Sequence, residues 1–205
     1  MGLPRVLLIL ALAVAPFATA PAPAIATEQV AAVTAQDRSI GRQDAPVTVI
    51  EYASFACPAC ADWHQLVYPV FKQRFVDTGR VRLVFRNLPT PPEQMSLPAH
   101  ALARCAAPDR FFDVASALMR GQAGVLRGGA VQTWYAPAIA ASGRTRAQID
   151  ACVTAPATRA SINRDIESAT AAGAEYTPSF FVNGRLVRDR SLGGLEVAIQ
   201  AAEAR

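Results

Sequence analysis

The chain has 205 residues, of which 52% are hydrophobic and 18% are charged, and its formal net charge at pH 7 is +4. This length suits one domain with room for an insertion, and the hydrophobic content excludes a disordered or low-complexity chain. The positive charge is spread along the sequence without a long run of one sign, which argues against a nucleic-acid partner.

The N-terminus has the pattern of a secretory signal peptide. Arg5 precedes an apolar run from Val6 to Ala15, and small residues follow. Of two Ala-x-Ala cleavage sites, residues 24–26 are favoured over residues 18–20, which a proline follows. A membrane anchor is the alternative, but the apolar run is only about half as long as a spanning helix requires. We therefore expect residues 1–26 to be removed and the remainder to fold in the periplasm, an oxidising compartment.

The next segments predict a βαβ unit. Residues 27–43 are polar and alanine-rich, which indicates a tether or a short first strand. The β-branched segment Pro46–Ala53 predicts a buried strand, and residues 58–77 predict a helix that Pro69 should kink. Val81–Arg86 predicts a second strand, which should lie parallel to the first.

The middle of the chain, from residue 92 to residue 172, loses all strand signals. Helical spacing is clearest in Pro98–Ala107, Arg110–Arg120 and Ala147–Val153. We therefore expect an inserted helical region of about three to five helices.

Strand signals return near the C-terminus. Ser179–Val182 and Arg185–Val187 flank an Asn-Gly pair, which predicts a hairpin because a type I′ turn needs positive φ at both positions. The spacing of apolar residues in Leu195–Ala204 then predicts a closing helix.

Cys57 and Cys60 lie where the first predicted strand passes into its helix. Three residues apart in a first helical turn, their side chains share one face and can form a disulfide. Pro58 suits the first helical position, and the free amides and dipole of the helix favour a thiolate at Cys57. Cys60, one turn deeper, should be shielded. This asymmetry suits thiol–disulfide exchange, in which an exposed sulfur forms mixed disulfides and a buried one resolves them.

Other uses of this motif fit less well. A zinc site would need a second close pair, whereas Cys105 and Cys152 are isolated in the sequence. Covalent haem would need histidine directly after Cys60, where the chain has Ala61. A purely structural disulfide across so short a loop would stabilise little. The pattern favours a redox pair that uses no metal and no organic cofactor.

Five segments between Asp44 and the C-terminus carry a resemblance to a known family. They are Ala45–Tyr52, Cys57–Cys60, Arg82–Pro89, Pro98–Ala103 and Tyr176–Gly184. These five segments resemble the DsbA-like branch of the thioredoxin superfamily, and they occur in the order in which that family has them. The resemblance implies an α/β thioredoxin fold, formed by residues 44–91 and 173–205, with an inserted all-helical domain at residues 92–172.

The resemblance also implies further site residues. Thr177–Pro178 should be a cis peptide in a loop that packs against the cysteines and binds substrate. The family has a buried acid on the first strand, and Glu51 fits that place. Strand alternation puts Glu51 on the same side as Val47 and Val49, where a buried, unpaired carboxyl group could exchange a proton with Cys60. The alternative is a glutamate exposed at the end of the strand.

The residues around the cysteines depart from the family in one respect. The strongest oxidants of the family have histidine between the cysteines, whereas this chain has Ala59. Since alanine adds no charge or hydrogen bond to the Cys57 thiolate, we expect a less oxidising pair. His64 is predicted to pack at the domain junction, the alternative being that it lowers the pKa of a thiol. His100, in the helical insertion, receives no role.

Cys105 and Cys152 both lie in the helical insertion. Cysteines left over in an oxidising compartment usually pair, and some DsbA-like proteins have a second, non-catalytic disulfide in this domain. We expect a structural bridge; two free thiols, or a second redox pair that tunes the first, are the alternatives.

These features predict a periplasmic thiol–disulfide oxidoreductase that introduces disulfides into exported proteins. Its substrates would be unfolded or partly folded exported proteins, and a membrane redox partner would recycle the Cys57–Cys60 pair. A reductase or isomerase with the same site is the enzymatic alternative, and a non-catalytic binding module of thioredoxin fold is the alternative from another class. Isomerases of the superfamily are typically dimers with an additional N-terminal domain, whereas only residues 27–43 are expected between the cleavage site and the fold. A monomer is therefore expected.

Overall fold

A five-stranded mixed sheet forms the centre of the computed structural model, which describes residue 2 and residues 30–205. The strand order is β1-β3-β2-β4-β5; β2 and β3 are parallel, as predicted, and the other neighbours are antiparallel. The strands are β1 (Arg38–Ile40), β2 (Val47–Ala53), β3 (Val81–Asn87), β4 (Ser179–Val182) and β5 (Arg185–Val187).

The segment before β2 contains β1, so residues 27–43 include the short first strand that was one of the two predictions for this segment. The predicted signal peptide, residues 1–26, lies outside the described residues except for residue 2. Among the residues that the structure describes, no helix is both long enough and apolar enough to cross a membrane.

The crossover from β2 to β3 is helical, but it alternates between α and π geometry. Its segments are α1 (Pro58–Asp62), a π-helical segment (Trp63–Val67), α2 (Tyr68–Phe71) and a second π-helical segment (Lys72–Val76). Pro69, where the sequence predicted a kink, lies in the first turn of α2, directly after a π-helical segment. Proline has no amide hydrogen to donate to the preceding turn, and the wider π turn is where the chain accommodates this loss.

Five α-helices separate β3 from β4, at the upper end of the predicted number. They are α3 (Glu93–Arg104), α4 (Phe111–Leu126), α5 (Val131–Ala141), α6 (Arg146–Val153) and α7 (Pro156–Ala171), with a 3₁₀ turn at Pro108–Arg110. The helix predicted from Pro98 begins earlier, because the amides of Met95 and Ser96 already bond to the carbonyl of Pro92. The chain therefore has a thioredoxin fold with an inserted helical region, as the resemblance implies.

The C-terminal hairpin has the predicted turn, since φ is +43° at Asn183 and +80° at Gly184. The final helix, α8 (Leu192–Glu203), begins three residues before the predicted start. The reason is a cap that the apolar spacing did not reveal: the hydroxyl of Ser191 accepts a hydrogen bond from the amide of Gly194 at 3.1 Å.

One apolar core continues from the sheet into the helical insertion. Phe55, which precedes α1, stacks on Phe85 of β3 with ring centroids 5.3 Å apart, and Phe85 packs at the same distance against Phe111 of α4. The sheet, the insertion and the turn that precedes α1 share these aromatic contacts. The insertion therefore fixes the position of this turn.

Candidate active site

Cys57 and Cys60 lie at the start of α1, immediately after the carboxyl end of β2. Cys57 is the N-cap residue, with extended backbone angles, and Pro58 occupies the first helical position. The Cys57 carbonyl accepts hydrogen bonds from the amides of Cys60 and Ala61, at 3.1 and 3.2 Å. Both cysteines are free thiols, Cys57 partly exposed and Cys60 fully buried.

The surroundings of Cys57 favour its thiolate. Its pKa falls from the ordinary value of 9.0 to about 5, chiefly because the Cys60 thiol donates a hydrogen bond to it. Partial burial opposes this shift, while hydrogen bonding with Thr177 and with the amides of Cys60 and Ala59 adds to it. The amides are those of the first turn of α1, which stabilise a negative charge at a helix N-terminus.

The surroundings of Cys60 favour its thiol. Burial raises the pKa of Cys60 well above the ordinary value, and the hydrogen bond and negative charge of Cys57 raise it further. The charge of Glu51 acts in the same direction, whereas the amide of Ser54, 3.5 Å from the Cys60 sulfur, opposes the shift. The site thus combines an accessible thiolate with a shielded thiol, which is the arrangement that disulfide exchange requires.

Glu51 is fully buried, on the side of β2 that strand alternation predicted. It is not the unpaired carboxyl group that the sequence predicted, because Nε2 of His64 lies 3.2 Å from both of its oxygens. His64 also packs against the rings of Trp63 and Tyr68. The prediction of an unpaired acid was wrong. Helical spacing relates His64 only to the cysteines on its own helix, whereas its partner Glu51 lies on the strand beneath that helix.

The loop before β4 approaches Cys57 from the other side. The Thr177–Pro178 peptide bond is cis, and the Thr177 carbonyl lies 3.3 Å from the Cys57 sulfur, which donates to it when protonated. Pro178 lines a groove of about 260 Å³ beside α1, together with residues that include Ala59, Leu66 and Arg190. Leu66 is 75% exposed, so the groove offers an apolar surface next to Ala59, which lies between the two cysteines in the chain.

Gln122 of α4 is a site residue that the sequence interpretation missed. Its side-chain amide donates hydrogen bonds to the carbonyls of Phe55, at 2.7 Å, and Cys57, at 3.0 Å. It is buried, at a helical position between the inward-facing Leu118 and Val125. A polar residue in an apolar stripe was the available signal, but the stripe alone does not show what the amide contacts.

A cluster of hydroxyl groups supports the same turn and was also missed. The Ser54 hydroxyl accepts a hydrogen bond from the amide of Ala56 at 3.1 Å. It also lies 3.1 Å from the Ser96 hydroxyl of α3 and accepts from the Thr90 hydroxyl at 2.9 Å. The turn of residues 54–57, called the active-site turn below, is therefore held by two helices of the insertion, α3 and α4.

Cys105 and Cys152 form a disulfide between the end of α3 and α6. They are not free thiols, and the bridge spans a sequence separation of 47 residues. The hydroxyl of Thr158 lies 3.7 Å from the Cys105 sulfur and 3.5 Å from the Cys152 sulfur.

His100 is a buried structural residue. Its Nδ1 lies 2.7 Å from the side-chain oxygen of Asn87, and burial lowers its pKa to about 3. Its ring packs against Phe55 with centroids 4.7 Å apart. Within residues 30–205, no group of three or more histidine, cysteine or acidic residues is arranged to hold a metal ion.

Comparisons with known proteins agree on the family. The family model described as Thioredoxin matches residues 33–201. A "Putative protein-disulfide oxidoreductase" of Rickettsia bellii is 27% identical over 171 residues, which cover 81% of this chain and 64% of that protein. A "Probable disulfide bond formation protein D" of Bacillus cereus is 46% identical over 52 residues, 25% of this chain and 24% of the relative. The chain thus spans less than two thirds of either relative.

Solved structures show the same fold. BdbD from Bacillus subtilis superposes with a TM-score of 0.75 at 19% identity, covering 83% of this chain and 94% of that one. The α-DsbA1 protein of Wolbachia pipientis gives a TM-score of 0.71 at 22% identity, covering 84% and 93%. The family match includes the cysteine pair and the cis-proline loop. The chain therefore belongs to the thioredoxin family, and its fold is the one seen in these solved structures.

Proposed function

We propose that this protein is a thiol–disulfide oxidoreductase that introduces disulfides into exported proteins through Cys57 and Cys60. The observation that carries the proposal is the opposite perturbation of the two thiols, with the pKa of Cys57 lowered to about 5 and that of Cys60 raised. A purely structural disulfide requires no such difference between its two sulfurs. A pair that forms and releases mixed disulfides does, because only the accessible sulfur should attack or leave as thiolate.

Oxidation of a substrate dithiol proceeds in two exchanges. A substrate thiolate attacks the Cys57 sulfur of the Cys57–Cys60 disulfide; a mixed disulfide forms, and Cys60 leaves with the electron pair and takes up a proton. The second substrate thiolate then attacks the substrate sulfur of the mixed disulfide, and Cys57 leaves as a thiolate. The substrate loses two electrons, the cysteine pair gains them, and Glu51 is the proposed proton donor to Cys60.

The stability of the leaving group supports the oxidising direction. A thiol with a pKa of about 5 is almost fully ionised at pH 7, so release of Cys57 is favourable and the reduced form of the pair is stabilised. Ala59 adds no further charge or hydrogen bond from its side chain, and we expect a potential less oxidising than that of the strongest oxidants in the family.

The groove beside Cys57 suits an extended polypeptide segment. Pro178 and Leu66 offer an apolar surface, and Thr177 lies against the reactive sulfur. Unfolded or partly folded proteins expose such segments, and we propose them as substrates in the periplasm. A membrane redox partner would reoxidise the pair, since each turnover leaves it reduced.

The first experiment is a measurement of the reduction potential of the Cys57–Cys60 pair against glutathione. A value toward about −120 mV supports a dithiol oxidase, and one near −270 mV supports a reductase instead. Oxidation of a reduced, unfolded test protein should be abolished in Cys57→Ser and in Cys60→Ser. When Cys57 of Cys60→Ser is first joined to glutathione, a test peptide with a single thiol should displace the glutathione and remain bound to Cys57 as a mixed disulfide. A pair that does not exchange at any potential between these values would overturn the proposal and leave a binding module.

A matched control separates the two cysteine pairs. A variant with both Cys105→Ser and Cys152→Ser keeps the proposed redox pair intact. It should still oxidise the test protein, provided that it is assayed at a temperature at which it is folded. Loss of exchange in this folded variant would assign a redox role to the second bridge.

A further inference from the structure

Beneath the cysteines, Glu51 and His64 form a buried polar pair. The side chains are 0% and 1% exposed, and Nε2 of His64 lies 3.2 Å from each carboxylate oxygen. The other ring nitrogen, Nδ1, is buried and has no hydrogen-bond partner among the described residues. Glu51 comes from the central strand β2 and His64 from the π-helical segment after α1, so the pair joins the strand before the cysteines to the helical crossover after them.

The surroundings of the pair are mostly aromatic. The rings of Trp63, Tyr68 and Phe85 lie 5.3, 5.1 and 6.2 Å from that of His64. The titratable groups that face the pair are the Cys60 thiol and the Tyr68 hydroxyl. Burial and the charge of Glu51 raise the pKa of Tyr68 far above physiological pH, so the hydroxyl stays neutral. Cys60 is therefore the neighbour whose charge changes during disulfide exchange.

The contacts of the pair are compatible with two states that differ by one proton. A neutral imidazole that donates Nε2–H to the Glu51 carboxylate leaves Nδ1 as a bare acceptor, and the pair then carries one negative charge. One additional proton, on either residue, makes the pair neutral. Since an uncompensated charge is costly in an apolar site, the pair gains a proton most readily when Cys60 loses one. Transfer of a proton from Cys60 to the pair moves the negative charge from the pair to the Cys60 sulfur without creating a second charge.

We propose that His64 is a positioning residue that holds the Glu51 carboxylate toward Cys60 and shares the proton exchanged with that thiol. The proposal rests on the proposed function and adds a second residue to its proton transfer. When the Cys57–Cys60 bond breaks, the electron pair stays on the Cys60 sulfur, which takes a proton from the neutral pair and leaves the pair singly negative. In the reverse step the thiol returns this proton, the Cys60 sulfur attacks Cys57 in the mixed disulfide, and the substrate leaves as thiolate.

The test uses His64→Gln, which retains a hydrogen-bond donor but cannot hold the extra proton. The variant is prepared with Cys57 in a mixed disulfide with glutathione, and release of glutathione by Cys60 is followed from pH 5 to pH 9. We expect release roughly 10- to 100-fold slower than in the wild type at pH 7, with a displaced pH profile. Gln65→Ala, on the exposed side of the same segment, should match the wild type.

Two further measurements show where the defect lies. The pH dependence of Cys57 alkylation should be unchanged in His64→Gln, because Cys57 lies outside the pair. The double variant with Glu51→Gln should be no slower than the slower single variant, since both residues serve one transfer. A release profile that superimposes on the wild type, or effects that multiply in the double variant, would overturn the proposal. A wild-type protein that does not exchange with glutathione at all would instead refute the proposed function.

A measurement on the unmodified protein decides the question if His64→Gln does not fold. At a given pH, the ¹⁵N shifts of the His64 ring should differ between the oxidised and the reduced protein, because the proposed transfer leaves the pair with one proton fewer after reduction. His100 serves as an internal control, because burial keeps it neutral above about pH 3. His64 shifts that are identical in both redox states from pH 4 to pH 9 would overturn the role of His64.

Discussion

Ionisation of Cys57 should make the stability of the reduced protein depend on pH. The pKa of Cys57 is about 5 in the folded protein and 9.0 in an ordinary thiol. A depressed folded-state pKa means that the thiolate contributes stability in full above pH 9, and that this contribution is lost as the pH falls through about 5. Cys57→Ser removes the titrating group and should remove this part of the pH dependence.

The size of the effect follows from the separation of the two pKa values. Between them, each pH unit changes the free energy of unfolding by about 1.4 kcal/mol. From pH 5 to pH 8 this amounts to about 4 kcal/mol, and solvent screening of the partly exposed sulfur reduces it to about 2 kcal/mol at the lower limit. The free energy of unfolding of the reduced wild type should therefore rise by about 2–4 kcal/mol more than that of Cys57→Ser.

The assay is urea denaturation at pH 5, 6.5 and 8, followed by tryptophan fluorescence. Mass spectrometry confirms that Cys57 and Cys60 are reduced while the Cys105–Cys152 bridge is intact. The oxidised wild type has no Cys57 thiol to titrate and should follow the pH dependence of Cys57→Ser. Parallel pH dependence in the reduced wild type and in Cys57→Ser would show that the site does not stabilise the thiolate, which would refute the reasoning.

Three further variants test how buried contacts and the second disulfide support the fold. Gln122→Leu takes from the Phe55 carbonyl its side-chain donor and removes one of the hydrogen bonds to the Cys57 carbonyl, and it should cost about 1–3 kcal/mol in urea denaturation; unchanged stability would contradict the assigned contacts. The double change Cys105→Ser and Cys152→Ser opens a bridge across 47 residues and should cost about 4 kcal/mol of unfolding free energy, and a loss below about 1 kcal/mol would contradict its structural role. Tyr52→Phe removes the hydroxyl that accepts from Arg86 at 3.0 Å; thermal denaturation should show a loss of about 1–2 kcal/mol, and a more stable variant would be evidence against this buried bond.

Features that depend on neighbouring residues were predictable from the sequence. The β-branched segment around Val49 forms β2, and the Asn183–Gly184 turn closes the predicted hairpin. The Cys57–Cys60 motif lies at the predicted junction of strand and helix. Each of these features is decided by side chains a few positions apart, and local physical chemistry acts over that distance.

Helix boundaries were less predictable, because they depend on caps and backbone bonds outside the apolar stripe. The serine cap of α8 and the early start of α3 both come from such bonds. The π-helical segments around α2 were not predicted either. Apolar spacing shows which face of a helix is buried, but it does not show where the backbone widens.

The sequence by itself determined where the Cys57–Cys60 motif lies and on which side of β2 Glu51 lies, because motif spacing and strand alternation are local. Only the tertiary structure decided that Glu51 meets His64 and that Gln122 reaches the active-site turn, 65 residues before it in the chain. Such contacts arise where the crossover helix and α4 pack onto the sheet. No periodicity along the chain specifies which polar side chains then meet, since packing of the shared core sets their distance.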